Sequence, residues 1–244
     1  MTDRHSREGR KARAPPLSPA RSEPKPELAS APMTRDWQEW HRAYDDPTSS
    51  LSQRLRVVTA MVRTHLDEAP AGPIRVLSLC AGEGRDIADA SRGHHRAGDL
   101  SGLLLEHDPA LAERATANVR SAADGLQVRR TDAGITENFC DMEPVDLLLL
   151  VGIFGNISDD DVRETITAVP AMCRSGATIL WTRHRREPDL TPLIREWFDA
   201  VGCRSRAFVS EVPGRFTVGS ETLATPGDAP VIPPVLFTFR DDLW

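Results

Sequence analysis

The stretch 76–87 reads Val-Leu-Ser-Leu-Cys-Ala-Gly-Glu-Gly-Arg-Asp-Ile, an apolar run that stops at small residues before a helix-like pattern. Gly82 and Gly84 permit positive φ and let a ligand approach the backbone closely. The helix behind them aims free N–H groups at that ligand. Glu106 ends a second apolar run, at the spacing from which a carboxylate accepts hydrogen bonds from both hydroxyls of a ribose. Asp132 ends a third run, where a carboxylate can accept from an adenine amino group. A fourth run is followed by Gly152-Ile153-Phe154-Gly155-Asn156, and a fifth by Arg183-His184-Arg185-Arg186. Histidine titrates near neutrality and suits proton removal, which makes His184 the first candidate base. Arg183 and Arg185 can grip a carboxylate or phosphate in a forked geometry. Phe154 and Asn156 are candidate walls or contacts for a substrate.

These residues need a scaffold that brings strand ends together. Strands are predicted at 74–79, 100–106, 126–130, 145–151 and 177–182, with helices at 85–91, 109–123, from Ser158 to about Gly176, and 191–201. The run 145–151 is apolar throughout, as in a strand covered on both faces. Pro109 suits the first turn of its helix, and Ser158 with three following aspartates suits a cap and an acidic first turn. Residues 203–210, 216–223 and 235–239 read as strands with no helix between them, an antiparallel end to the sheet. The expected fold is α/β, a three-layer Rossmann-like sandwich with a mostly parallel sheet, an antiparallel hairpin and an N-terminal helical lid. In such sheets ligands bind beyond the carboxyl ends of the strands.

The lid is read from residues 36–72. Trp37, Trp40, His41 and Tyr44 fall at i, i+3, i+4 and i+7, one face of a short helix. Trp37 and Tyr44 are candidate pocket walls, and His41 is a second candidate base. A second helix, 50–68, carries Leu51, Leu55, Val58 and Val62 as its apolar stripe and stops at Ala69-Pro70-Ala71-Gly72-Pro73.

Composition narrows the function. The chain of 244 residues has a net charge of −6, which gives no reason to expect a nucleic-acid partner. Residues 1–35 carry +4 and six prolines, leaving −10 for the remainder. That tail is expected to be disordered, and Met33 offers a second possible start. Residues 73–244 are then expected to form the ligand-binding domain. The four cysteines, Cys80, Cys140, Cys173 and Cys203, form no CxxC pair, so no metal is expected. No apolar run reaches the ~20 residues a membrane span needs, and a cytoplasmic setting is expected.

With these motifs in place, the chain resembles the class I S-adenosylmethionine-dependent methyltransferases over about 74–210. The 76–85 stretch resembles that family's first motif, an apolar strand ending in Asp-x-Gly-x-Gly-x-Gly. Leu-Leu-Leu-Glu-His-Asp-Pro-Ala resembles the second, Arg-Arg-Thr-Asp-Ala the third, and Val-Asp-Leu-Leu-Leu-Leu-Val-Gly-Ile-Phe the fourth. Cys-Arg-Ser-Gly-Ala-Thr-Ile-Leu resembles the stretch before the fifth strand. The resemblance implies S-adenosylmethionine as cofactor, with Glu106 at the ribose, Asp132 at the adenine, and His107 and Ala133 beside them as further cofactor contacts. It also implies Ser78, Cys80, Ala81, Gly82, Gly84 and Gly152 around the rest of the cofactor. Ser78 stands where the family has its acid, and Cys80 where it has its first glycine. Asp86 or backbone carbonyls would then receive the methionine ammonium. No Asn/Asp-Pro-Pro-Tyr/Phe motif follows the fourth strand and no Pro-Cys nucleophile is present, so the expected acceptor is the O or N of a small molecule, such as a specialised metabolite. A nicotinamide oxidoreductase, a nucleic-acid methyltransferase using the basic tail, and a non-catalytic S-adenosylmethionine- or nucleotide-binding regulatory protein are the competing readings.

Overall fold

Period-2 burial divides the chain between two cores. In the strand β4 (Val145–Leu150), Leu147 and Leu149 join one buried cluster and Leu148 and Leu150 the other. Val76 and Leu77 divide likewise in β1 (Ile74–Ser78). The computed structural model describes residues 41–210, 215–224 and 231–240, all within one compact unit. The remaining strands are β2 (Leu100–Glu106), β3 (Leu126–Arg130), β5 (Cys173–Arg183), β6 (Cys203–Ser210) and β7 (Thr217–Leu223). They form one sheet in the order β3-β2-β1-β4-β5-β7-β6. The first five strands are parallel, and β7 inserts antiparallel between β5 and β6, with Trp181 opposite Gly219. This is the expected mostly parallel sheet with an antiparallel end.

On one face, α1 (Ser50–Glu68) and α2 (Arg85–Ser91) bury Val58, Val62, Leu66 and Ile87 against the strands. On the other, α4 (Asp159–Met172) and α5 (Thr191–Ala200) bury Ile166, Val169, Ile194 and Phe198. Helix α3 (Pro109–Arg120) follows β2, its N-terminus capped by the Asp108 carboxylate, which accepts from the amides of Ala110 and Leu111. Ser158 caps α4 by accepting from Asp161 N at 3.1 Å. No helix among the described residues is long and apolar enough to cross a membrane.

Several element boundaries differ from the sequence reading by a single residue, and four places differ in more telling ways. Helix α3 stops at Arg120, three residues early. Helix α4 stops at Met172, and Gly176 lies inside β5, next to a register irregularity against β4. Of the 36–45 helix, His41 is helical and Arg42–Asp45 form a 3-10 turn, while residues 36–40 lie outside the described residues. Residues 235–239 are not a strand but an extended strap with one isolated bridge, Val235 to Ile135. Pro233 and Pro234 have no N–H to donate to a ladder, and their carbonyls instead receive Thr136 Oγ1 at 2.5 Å and Thr136 N at 3.0 Å. The strap then crosses the carboxyl ends of the strands. Leu236 N donates to Gly134 O, Thr238 N to Asp161 Oδ2, and Arg240 N to Asn156 O. A Cβ on Gly134 would sit 2.2 Å from Phe237 O, so glycine is what lets the strap lie there.

Candidate functional site

The turn after β1 is fixed by backbone and carboxylate together. Ala81 N donates to Leu105 O and Gly84 N to Ala81 O, both at 2.8 Å. Gly82, at φ +57°, donates its N–H to Glu106 Oε2 at 2.7 Å, while Asp108 N donates to Oε1 at 2.8 Å. The carboxylate keeps lone-pair capacity beyond these amides. Cys80 adopts φ +53°, the only non-glycine described with positive φ. The residue standing at the resembled family's first glycine thus keeps a glycine's conformation and carries the strain of a side chain, about 1 kcal/mol.

A cavity of about 540 Å³ opens above this turn, within the size range of cofactor sites. Ser78, Cys80, Ala81, Gly82 and Asp86 line its β1 side. Glu106 and His107 line it beyond β2, Asp132 and Ala133 beyond β3, and Gly152 beyond β4. Every residue predicted for the cofactor except Gly84 is therefore brought together. Gly84 instead turns the chain into α2 at φ +62°, where an added Cβ would meet Leu104 at 3.0 Å. It seats the helix.

Burial sets the electrostatics. Asp86 is 7% exposed, and desolvation pushes its carboxyl up to about 6, opposed by a bond from Ile87 N and the charge of Arg54. A carboxylate in that condition has no full counter-charge and gains from receiving a cation. Burial also raises Glu106, opposed by bonds from the amides of Asp108 and Gly82. Glu83, in contrast, is already paired with Arg85 and with Arg114 at 2.8 Å. Asp132 accepts from Gly134 N at 2.8 Å and is exposed at the cavity rim.

The segment before α1 covers the mouth. His41 and Tyr44 line the cavity, with rings 5.3 Å apart, and Arg54 Nη2 donates to the Tyr44 hydroxyl at 2.7 Å. Arg85 lies over the Tyr44 ring at 5.6 Å. The His41 ring rests on Gly82 so closely that a Cβ there would lie 2.5 Å from Cε1. Desolvation, opposed by Glu83, lowers His41 to about 4. That value is too low for a base working near neutrality, so His41 is a neutral wall over the glycine turn. Trp37 lies outside the described residues.

A second cavity, about 380 Å³, adjoins the first, and Arg54 and Gly152 line both. Asn156, Thr182, Arg183 and His184 line the new one. His184 is lowered from its ordinary value by desolvation and by Arg183 and Arg186. Its Nδ1 accepts from Arg186 N at 3.3 Å. Asn156 and Arg183 reach the cavity but are also structural. Asn156 Nδ2 donates to Gly152 O at 2.5 Å, and Arg183 bonds Phe154 O and Asp159. Two predicted substrate contacts are corrected. Phe154 is fully buried, its ring 6.2 Å from that of Trp181, because its place after β4 points it into the core. Arg185 lines neither cavity and pairs with Asp189 at 2.9 Å and Ser210 at 3.1 Å.

Two contributions escaped the sequence reading. Arg54 sits three residues after Leu51 and four before Val58, inside the apolar stripe of α1, and a charge in such a stripe is a usable signal. Thr238 and Phe239 line the first cavity from the strap, a placement that no local pattern encodes.

No protein-family model and no curated protein sequence matches the chain. Solved structures do. An O-methyltransferase family protein from Burkholderia thailandensis superposes with a TM-score of 0.54 at 17% identity, over 78% of this chain and 69% of that one. The shared fold is Rossmann-like. The CurJ carbon methyltransferase gives a TM-score of 0.58 at 12% identity, covering 78% of this chain, which spans 59% of that longer one. Precorrin-6y C5,15-methyltransferase from Geobacter metallireducens gives 0.50 at 14%, over 68% and 86%. These are likenesses of architecture.

Proposed function

We propose that the chain binds S-adenosylmethionine in the first cavity and transfers its methyl group to an O or N of a small molecule. The observation that carries this reading is the donor set gathered in one cavity. Glu106 has lone pairs left for a diol, Asp132 stands at the rim for an amino group, and buried Asp86 lacks a full counter-charge. An adenosine joined to a cationic amino acid has those three groups. Asp86 thus takes the part that Ser78 cannot fill.

When bound, the cofactor would supply an electrophilic methyl on a sulfonium. The chain's part is to hold, orient and exclude water. Glu106 couples the ribose end to the glycine turn through Gly82 N. His41 and Tyr44 cover the cavity. A methyl acceptor in the second cavity would meet the first at Gly152 and Arg54, the residues common to both. Holding the two reactants in line is the main source of rate. His184 is the proposed base. It is kept neutral, and its Nδ1 lone pair is engaged only by the long contact from Arg186 N.

Calorimetric titration with S-adenosylmethionine and its demethylated product tests the reading. One site with saturable heat for both ligands supports it, and heat with neither rejects it. Binding of both without methyl transfer to any of a panel of phenols, amines and carboxylic acids would favour the non-catalytic alternative.

A further inference from the structure

The second cavity inverts the charge of the molecule. The chain as a whole carries −6, yet the described residues lining this cavity include Arg54, Arg183, Arg186, Arg215 and His184, and no carboxylate. Among the described residues, no carboxylate pairs with Arg186 or Arg215. Arg183 donates to Phe154 O, and the carboxylate paired with it, Asp159 Oδ1, is loosely held at 3.4 Å from Nη2. Its side chain is 8% exposed, and its Nε is buried without a hydrogen-bond partner. Desolvation lowers the Arg183 guanidinium from its ordinary value, opposed by Asp159 and Asp189. Arg183 is confined and Arg186 and Arg215 line the same cavity with no carboxylate partner, and cations clustered in this way form a site that an anion completes.

We propose that this cavity is the acceptor site and that the acceptor carries a carboxylate or phosphate group held by Arg186 and Arg215 together with Arg183. The word acceptor rests on the methyl-transfer reading; the anion site does not. A planar guanidinium presents paired N–H donors matched to the two oxygens of either group. The anion anchors the far end of a small molecule, which leaves its nucleophilic end to face Gly152 and Arg54, where the cavities meet. A volume of about 380 Å³ suits one or two rings rather than a polymer. The anion would also offset the arginine charges that hold His184 down, making it a stronger base once the acceptor is seated.

The test compares benzoate and phenyl phosphate with neutral benzamide, titrated into the full chain and followed through the His184 imidazole resonances and by calorimetry. At least one anion is expected to bind about tenfold more tightly than benzamide, the equivalent of one charge-assisted hydrogen bond. Which anion is preferred identifies the group. Arg186 and Arg215 are exposed and outside the first cavity. The Arg186→Gln/Arg215→Gln double variant should therefore stay folded and lose the preference, with S-adenosylmethionine binding unchanged. Equal affinity for benzamide and both anions, or a preference that survives in the double variant, would overturn the proposal. Anion preference without any heat from S-adenosylmethionine would leave this site standing and reject the methyltransferase reading.

Discussion

Asp86 carries the sharpest consequence at the scale of single residues. Its carboxyl titrates at about 6 in the fold against an ordinary 3.8. The native state therefore holds that proton more tightly than the unfolded chain does. The sign follows: Asp86 makes stability fall as pH rises from about 4 to about 6, and above that window its buried charge costs about 3 kcal/mol. Asp86→Asn should melt at higher temperature than wild type at pH 7 and show less of that decline. It should also bind S-adenosylmethionine more weakly, whereas wild-type affinity should rise as pH increases through about 6. A variant no more stable at pH 7, with undiminished affinity, would deny Asp86 both roles. His184→Ala should cut turnover at least about a hundredfold, the usual worth of general acid–base catalysis, with cofactor affinity nearly unchanged. Unchanged turnover would remove His184 from the mechanism. The lining of the first cavity was legible in the sequence because most of it ends or closely follows a strand, where position alone sends it to the carboxyl edge of the sheet. Phe154 and Arg185 were not, because whether a loop residue turns inward, outward or into the cavity depends on partners such as Trp181 for Phe154 and Ser210 for Arg185, which lie far along the chain.

Among the elements, the parallel strands and their helices could be read from periodicity and caps, since burial on both faces leaves a continuous apolar run in β4. The strap at 231–240 could not. Its alternation resembles a strand, but its hydrogen bonds go to residues 134–136, 156 and 161, which no window of sequence joins to it. Its placement puts Phe239 in the wall of the first cavity, with Phe237 edge-on behind it at 6.0 Å. Phe239→Ala should therefore weaken S-adenosylmethionine binding several-fold, about 1 kcal/mol for an aromatic contact. The melting temperature should barely move, because Phe239 is only partly buried. Unaltered affinity would show that the strap closes the cavity without touching what binds there.

For the whole molecule, sheet order and the meeting of two cavities matter more than any one residue. The order β3-β2-β1-β4-β5-β7-β6 gathers the ends of β1, β2, β3 and β4 around an acid-lined cavity and the end of β5 beside an arginine-lined one. One side suits a cationic nucleoside, the other an anion, and Gly152 and Arg54 lie between. The most direct test of this arrangement is titration of S-adenosylmethionine into the wild type and Glu106→Ala. Glu106→Ala removes the acceptor of the Gly82 and Asp108 amides and of the expected ribose hydroxyls. The account predicts one saturable site in the wild type and affinity at least about tenfold weaker in the variant, the loss of a charge-assisted hydrogen bond. Absence of binding in the wild type, or equal affinity in a folded Glu106→Ala, would contradict it.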